Sequence, residues 1–146
     1  MNPSNPAAAA HSLPRHIAVM ASIYFAASLL HFAHNAEFIA FYPGMPGWLT
    51  REKVYLAWLG VTAVGALAWF FGRKRLPLLA APLIGIYGAL GIDGLAHYTL
   101  ALCSEHTLMT NFTIWFEVIT GAALLLAGGL WAGQLITQRQ LLKPTA

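Results

Sequence analysis

Four long apolar segments constrain this chain more than any other feature. They run from about 16 to 42, 54 to 72, 76 to 103 and 111 to 136, each near or above the roughly 20 residues that a helix needs to cross a bilayer core. The breaks between them are short: Pro43-Gly44-Met45-Pro46-Gly47 with Trp48 to Lys53, then Arg73-Lys74-Arg75, then Ser104 to Thr110. Proline and glycine interrupt helices, and connectors of this length make successive helices antiparallel. The expected fold is an all-α integral membrane protein, an up-down bundle of four transmembrane helices spanning 16–136. Residues 1–15 read as a flexible cytoplasmic arm, lacking the basic start of a signal peptide, and residues 137–146 as a cytoplasmic tail.

Composition points the same way. The chain is 58% hydrophobic and only 9% charged, against about 25% charge in an average soluble domain. That excludes an ordinary soluble domain and a disordered chain alike. A net charge of +3 does not signal nucleic acid, because the basic residues sit at segment ends and form no stripe with interleaved aromatics. One cysteine, Cys103, excludes an intrachain disulfide and a CxxC metal motif.

Orientation follows from the Lys and Arg count on each side. One side holds Arg15, Arg73, Lys74, Arg75, Arg139 and Lys143 with no acids; the other holds Arg51 and Lys53 beside Glu52 and Glu105. Both termini are therefore expected in the cytoplasm, in a membrane of the bacterial inner type. Tyr42, Trp48, Tyr55 and Trp58 at one end, with Trp69 and Trp131 at the other, fit interfacial belts. Gly85, Gly88, Gly91 and Gly94 in the third span, and Gly121, Gly128, Gly129 and Gly133 in the fourth, permit close helix approach.

The chain has five acids and six histidines, yet His31, His34, Glu37, Asp93, His97 and Glu117 all fall inside the spans. An ionisable group near the bilayer centre costs at least about 2.5–3.5 kcal/mol, so its presence calls for a function. At about 1.5 Å per residue, all six lie in one layer of the outer half of the bundle. At about 100° per residue, His31, His34 and Asn35 share a face with Glu37 at its edge. Asp93 and His97 are i and i+4 neighbours. Glu117 aligns with Thr113, Thr120 and Gly121, while the second helix offers only Thr62 and reads as scaffold. His106, Glu105, Asn111 and Cys103 sit above the layer, as an entrance or a source of an extra ligand.

Imidazole with carboxylate suits a transition metal such as zinc, iron or copper. His31, His34, His97 and Glu117 are the expected ligands, with Asp93 orienting a histidine or binding. Glu37 and Asp93 are the expected catalytic acids and bases of a metalloenzyme acting on a small or lipophilic substrate. The same residues fit three other functions. One is metal-free acid–base chemistry, isomerisation or hydration, on an isoprenoid, sterol-like or quinone molecule entering from the lipid. Another is haem b held between His31 or His34 and His97. The last is a component handling metal ions or protons for transport.

Overall fold

In the computed structural model, which describes residues 13–141, every regular element is helical. Helix α1 is Arg15–Glu37, α2 is Arg51–Arg73, α3 is Pro77–Leu90, α4 is the single turn His97–Leu100, and α5 is Leu108–Leu141. Short 3-10 turns fill Ile39–Phe41, Gly91–Ala96 and Cys103–Glu105. Four helical stretches, with α3 to α4 counted as one, are long and apolar enough to cross a membrane. Most of the N-terminal arm and the end of the C-terminal tail, including Lys143, lie outside the described residues.

Each long helix packs on its neighbours in the chain, and α5 closes the ring onto α1. Successive helices are antiparallel. Leu13, just before α1, lies against Gly72 at the end of α2, and Glu37 at the end of α1 pairs with Arg51 at the start of α2. Helix α2 opens at Thr50, whose hydroxyl accepts from the Lys53 N–H at 3.4 Å, a capping bond that satisfies one free donor of the first turn. It closes with Arg75 in the left-handed region, φ 58°. There the N–H groups of Arg75 and Leu76 return to the carbonyls of Gly72 and Phe71, the paired closure typical of a helix C-terminus.

Helix α1 stops at Glu37 rather than near 42: the chain tightens into the 3-10 turn Ile39–Phe41, and Tyr42, next to Pro43, is extended. The larger departure is in the third span. Its helix changes to 3-10 winding over Gly91–Ala96 and resumes for one turn at His97. Glycine is a poor helix former, and Gly91 is pressed onto the Tyr24 ring, since a Cβ there would meet Tyr24 Cε2 at 2.6 Å.

The closest approach in the bundle is between α3 and α5. A Cβ on Gly88 would lie 2.5 Å from the Gly121 carbonyl oxygen, and one on Gly128 would lie 2.6 Å from the Gly85 nitrogen. Backbone meets backbone at both places, so the small residues set the separation of these helices. Gly129 and Gly133 face open space instead, so only some of the eight glycines serve this contact. The core around it holds Tyr24, Ile84, Tyr87 and Leu124. Buried Ser28, His31, Asn35, Thr110, Thr113 and Glu117 stand inside, while Leu56, Leu67, Phe70, Ile119, Leu126 and Leu130 face outward.

Candidate functional site

Tyr24, Ser28, His31 and Asn35 are buried along one side of α1, spaced i, i+4, i+7 and i+11 so that they form one helical stripe. Facing them on α5 are Thr110, Thr113 and Glu117, also buried. His31 and Glu117 meet in this interface, Nε2 to Oε2 at 3.6 Å, and both side chains are almost fully enclosed.

The hydrogen bonds assign the proton on His31. Thr113 donates its hydroxyl to the Thr110 carbonyl at 3.0 Å. That hydroxyl has then only a lone pair to offer His31 Nδ1, 3.3 Å away, so Nδ1 carries the hydrogen. In the neutral ring Nε2 is bare, and it is turned toward the Glu117 carboxyl. A single proton shared by the two groups leaves no net charge in a dry interior, the cheapest state for an acid beside a base there.

His97 completes a group of rings. Its centroid lies 5.2 Å from that of His31 and 5.2 Å from that of Tyr42. Its Nε2 accepts from the Asn35 amide at 3.3 Å, because an amide nitrogen can only donate. Tyr42 reaches in from the first connector and bonds His34 Nδ1 at 2.8 Å. Its place at the end of a span fits an interfacial belt, but the side chain is buried within the protein. Burial pushes its phenol above the ordinary tyrosine range. Gly44 helps to seat this connector: its φ of 75° and its contact with Leu100 leave no place for a side chain. His106 is buried as well, with centroids 6.3 Å from His97 and 5.5 Å from Tyr98, and its Nδ1 donates to the Leu102 carbonyl at 2.9 Å. Around the rim, Asn111 accepts from the Tyr98 hydroxyl at 2.8 Å and donates to the Cys103 carbonyl at 3.0 Å.

Three of the six residues singled out in the sequence, His31, His97 and Glu117, come together. His34 stays in the layer but is directed to Tyr42. Glu37 is exposed. It pairs with Arg51 at 2.9 Å and accepts from the Tyr55 hydroxyl at 2.8 Å, which ties the end of α1 to α2 and turns the carboxylate away from the histidines. Asp93 is exposed too. On an α-helix it would share the His97 face, but a 3-10 turn has 3.0 residues rather than 3.6, so four residues of it carry Asp93 well round from that face. Among the described residues no three His, Cys, Asp or Glu side chains stand ready to hold a metal ion. Ser28 and Tyr24 were missed, although their spacing from His31 was legible as the same stripe.

No family model matches the chain, and neither a curated protein nor a solved structure matches it.

Proposed function

We propose that this chain is an integral membrane protein in which His31 and Glu117 move protons to and from an unsaturated lipophilic molecule that arrives from the bilayer. The observation that carries the reading is the bare His31 Nε2 facing Glu117 Oε2 at 3.6 Å in the enclosed interior. Burying these groups is costly in lipid, and a proton-transfer role is the return on that cost. The outward apolar faces suit lipid contact, and the basic residues at the α1 start and the α2 and α5 ends support a cytoplasmic side for the termini.

In the proposed reaction the Glu117 carboxyl gives its proton to one alkene carbon, which takes it with the π electron pair. The cation forms on the other alkene carbon. His31 Nε2, or the carboxylate just formed, then removes a proton from the next carbon along, and the electrons of that C–H bond become the new double bond to the cationic carbon. A proton taken by His31 returns to Glu117. The double bond migrates without an oxidant or reductant. His97, with Tyr42 and His106 of the outer connectors beside it, leads outward from the pair as a route by which protons are exchanged with water.

The test uses purified full-length protein in D2O with an isoprenoid alcohol, a sterol and a quinone as probes, and mass spectrometry for deuterium bound to carbon. Deuterium should enter one probe class, and Glu117→Gln and His31→Ala should each slow this by roughly 100-fold or more, the usual worth of a positioned acid or base. A chelator should have no effect. Unchanged exchange in both variants refutes the assignment. Orientation is tested by Cys103, exposed on an outer connector: a membrane-impermeant maleimide should label it in intact cells, and labelling only after permeabilisation reverses the topology.

A second reading has its own support. His31 Nε2 and Glu117 Oε2 are adjacent donor atoms, and turning the His97 ring off Asn35 would free a third for zinc, iron or copper. Stoichiometric metal lost in His31→Ala and His97→Ala, but kept in His34→Ala, would favour it. Haem does not fit between His31 and His97, whose rings are in contact at 5.2 Å.

A further inference from the structure

The end of the bundle away from the His31 pair carries charge that nothing in the chain neutralises. Arg15, Arg73, Lys74, Arg75 and Arg139 gather there and are exposed. The five acids, Glu37, Glu52, Asp93, Glu105 and Glu117, all belong to the other half. Among the described residues the ion pairs are His31–Glu117 and Glu37–Arg51, so none of these five cations has an acid beside it. Lys74 is turned onto the Phe70 ring, 5.6 Å from its centroid.

A groove of about 250 Å³ leads from this end between α1 and α2. Ala18, Ser22 and Phe25 line it on α1, and Ala66 and Trp69 on α2, with the buried Tyr87 of α3 behind them. The Ser22 hydroxyl donates to the Ala18 carbonyl at 3.0 Å, which leaves the α1 wall apolar. Arg15 precedes Ala18, Ser22 and Phe25 at i+3, i+7 and i+10, and Arg73 follows Ala66 and Trp69 at i+7 and i+4. Each arginine therefore continues the helical stripe that forms its own wall. Arg15 also borders, with Ala18 and Ser22, a shallow hollow on the lipid side of α1. Leu13 against Gly72 sets these two helix ends at one level, so the arginines flank the mouth of the groove. From Arg15 to Phe25 the wall is about 15 Å long at 1.5 Å per residue, half of a roughly 30 Å hydrocarbon core and so the depth of one leaflet.

We propose that this groove binds an anionic glycerophospholipid, its phosphate held between Arg15 and Arg73 and one acyl chain lying along Ser22, Phe25, Ala66 and Trp69. A guanidinium grips a phosphate through two parallel hydrogen bonds, and basic pockets between membrane helices bind anionic headgroups. A zwitterionic lipid brings a cation of its own to the two arginines. A second copy of the chain does not match either, because in the same membrane orientation it presents its own arginines at this end and no acid. The site is separate from the proton-transfer pair and stands whether or not that reading does.

The test reconstitutes the purified full-length chain in phosphatidylcholine bilayers and adds small fractions of phosphatidylglycerol or phosphatidylcholine brominated on the acyl chains. Quenching that belongs to Trp69 is the difference between the wild type and Trp69→Phe. Brominated phosphatidylglycerol should reach Trp69 with a relative affinity at least roughly tenfold above that of brominated phosphatidylcholine, the effect of two basic residues at a membrane surface. Arg15→Gln with Arg73→Gln should bring the ratio close to one, whereas Arg139→Gln on α5 should leave most of it. Ser22→Leu with Ala66→Leu, which fill the groove from its exposed rim, should remove the preference while both arginines remain. Equal quenching by the two lipids in the wild type overturns the proposal. So does a preference that Arg139→Gln lowers as much as the double arginine variant, since that is the general field of a basic surface. Exclusion of both lipids from Trp69, with dimers captured by chemical cross-linking, gives the groove to a second copy and overturns it as well.

Discussion

Gly128 and Gly129 are adjacent on α5, yet alanine at the two positions should act in opposite directions. At Gly129 a Cβ meets nothing within 4 Å, so Gly129→Ala gains only the restriction of backbone freedom, about 0.5–1 kcal/mol in favour of the fold. Gly128→Ala receives the same gain and then meets Gly85. Its Cβ would stand 2.6 Å from the Gly85 nitrogen and 3.0 Å from Gly85 Cα, against the 3.4 Å at which Cβ contacts become ordinary. No flexible side chain can give way at those two contacts, so α3 and α5 must part. Widening a packed contact by 0.5–1 Å forfeits a quarter to a half of its dispersion energy, and overpacking of this kind costs typically about 1–3 kcal/mol. The two variants should therefore differ by roughly 1–3 kcal/mol, with Gly129→Ala the more stable. Unfolding in mixed micelles by titration with sodium dodecyl sulfate, followed by tryptophan fluorescence, measures the difference. If Gly128→Ala is as stable as Gly129→Ala, then backbone contact through these glycines does not set the helix separation. The account of how α3 is held over Glu117 would fail with it.

Arg75→Gly should stabilise the bundle by about 1 kcal/mol in the same titration, because glycine carries no penalty in the left-handed conformation that Arg75 now occupies; a loss would show that the arginine side chain outweighs its backbone strain. Glu37→Gln should change stability by less than about 1 kcal/mol, as expected of an exposed ion pair, and leave deuterium exchange intact; exchange lost as fully as in Glu117→Gln would restore Glu37 to the catalytic group. Tyr42 gives a pH dependence with a definite sign. Its folded pKa is raised above the ordinary value of 10.0 by burial, so its contribution to stability is complete below pH 10 and declines as pH rises toward the folded value. Tyr42→Phe should flatten that alkaline decline, and an unchanged slope would place its origin elsewhere.

Much of this architecture is legible in the sequence because lipid-spanning helices leave a coarse signal. Length, apolarity and the Pro-Gly break suffice to find four spans and their antiparallel order. The meeting of His31 with Glu117 follows from depth and helical phase, since α1 and α5 keep the regular 100° step that such a count assumes. Tyr42 was hidden for a different reason. Its place depends on the 3-10 turn over Ile39–Phe41 and on Gly44 at φ 75°, which fold the connector back over His97 and turn a residue that looks interfacial into a buried one. No periodicity records that path.

Asp93 and His97 expose the limit of phase counting most clearly. The count assumes one winding throughout, and Gly91 and Gly94 sit where the winding changes. The same change presses Gly91 onto Tyr24 and Gly94 toward Glu117, so the irregularity that removes Asp93 from the site also roofs the buried acid. A side chain at Gly91 would collide with the Tyr24 ring, whereas a Cβ at Gly94 would meet its neighbours only at ordinary contact distance. Regular winding would bring a second carboxylate toward Glu117 and raise the electrostatic cost of an interior that already holds an acid. The 3-10 turn over Gly91–Ala96 thus keeps one acid and one base together with a minimum of charge.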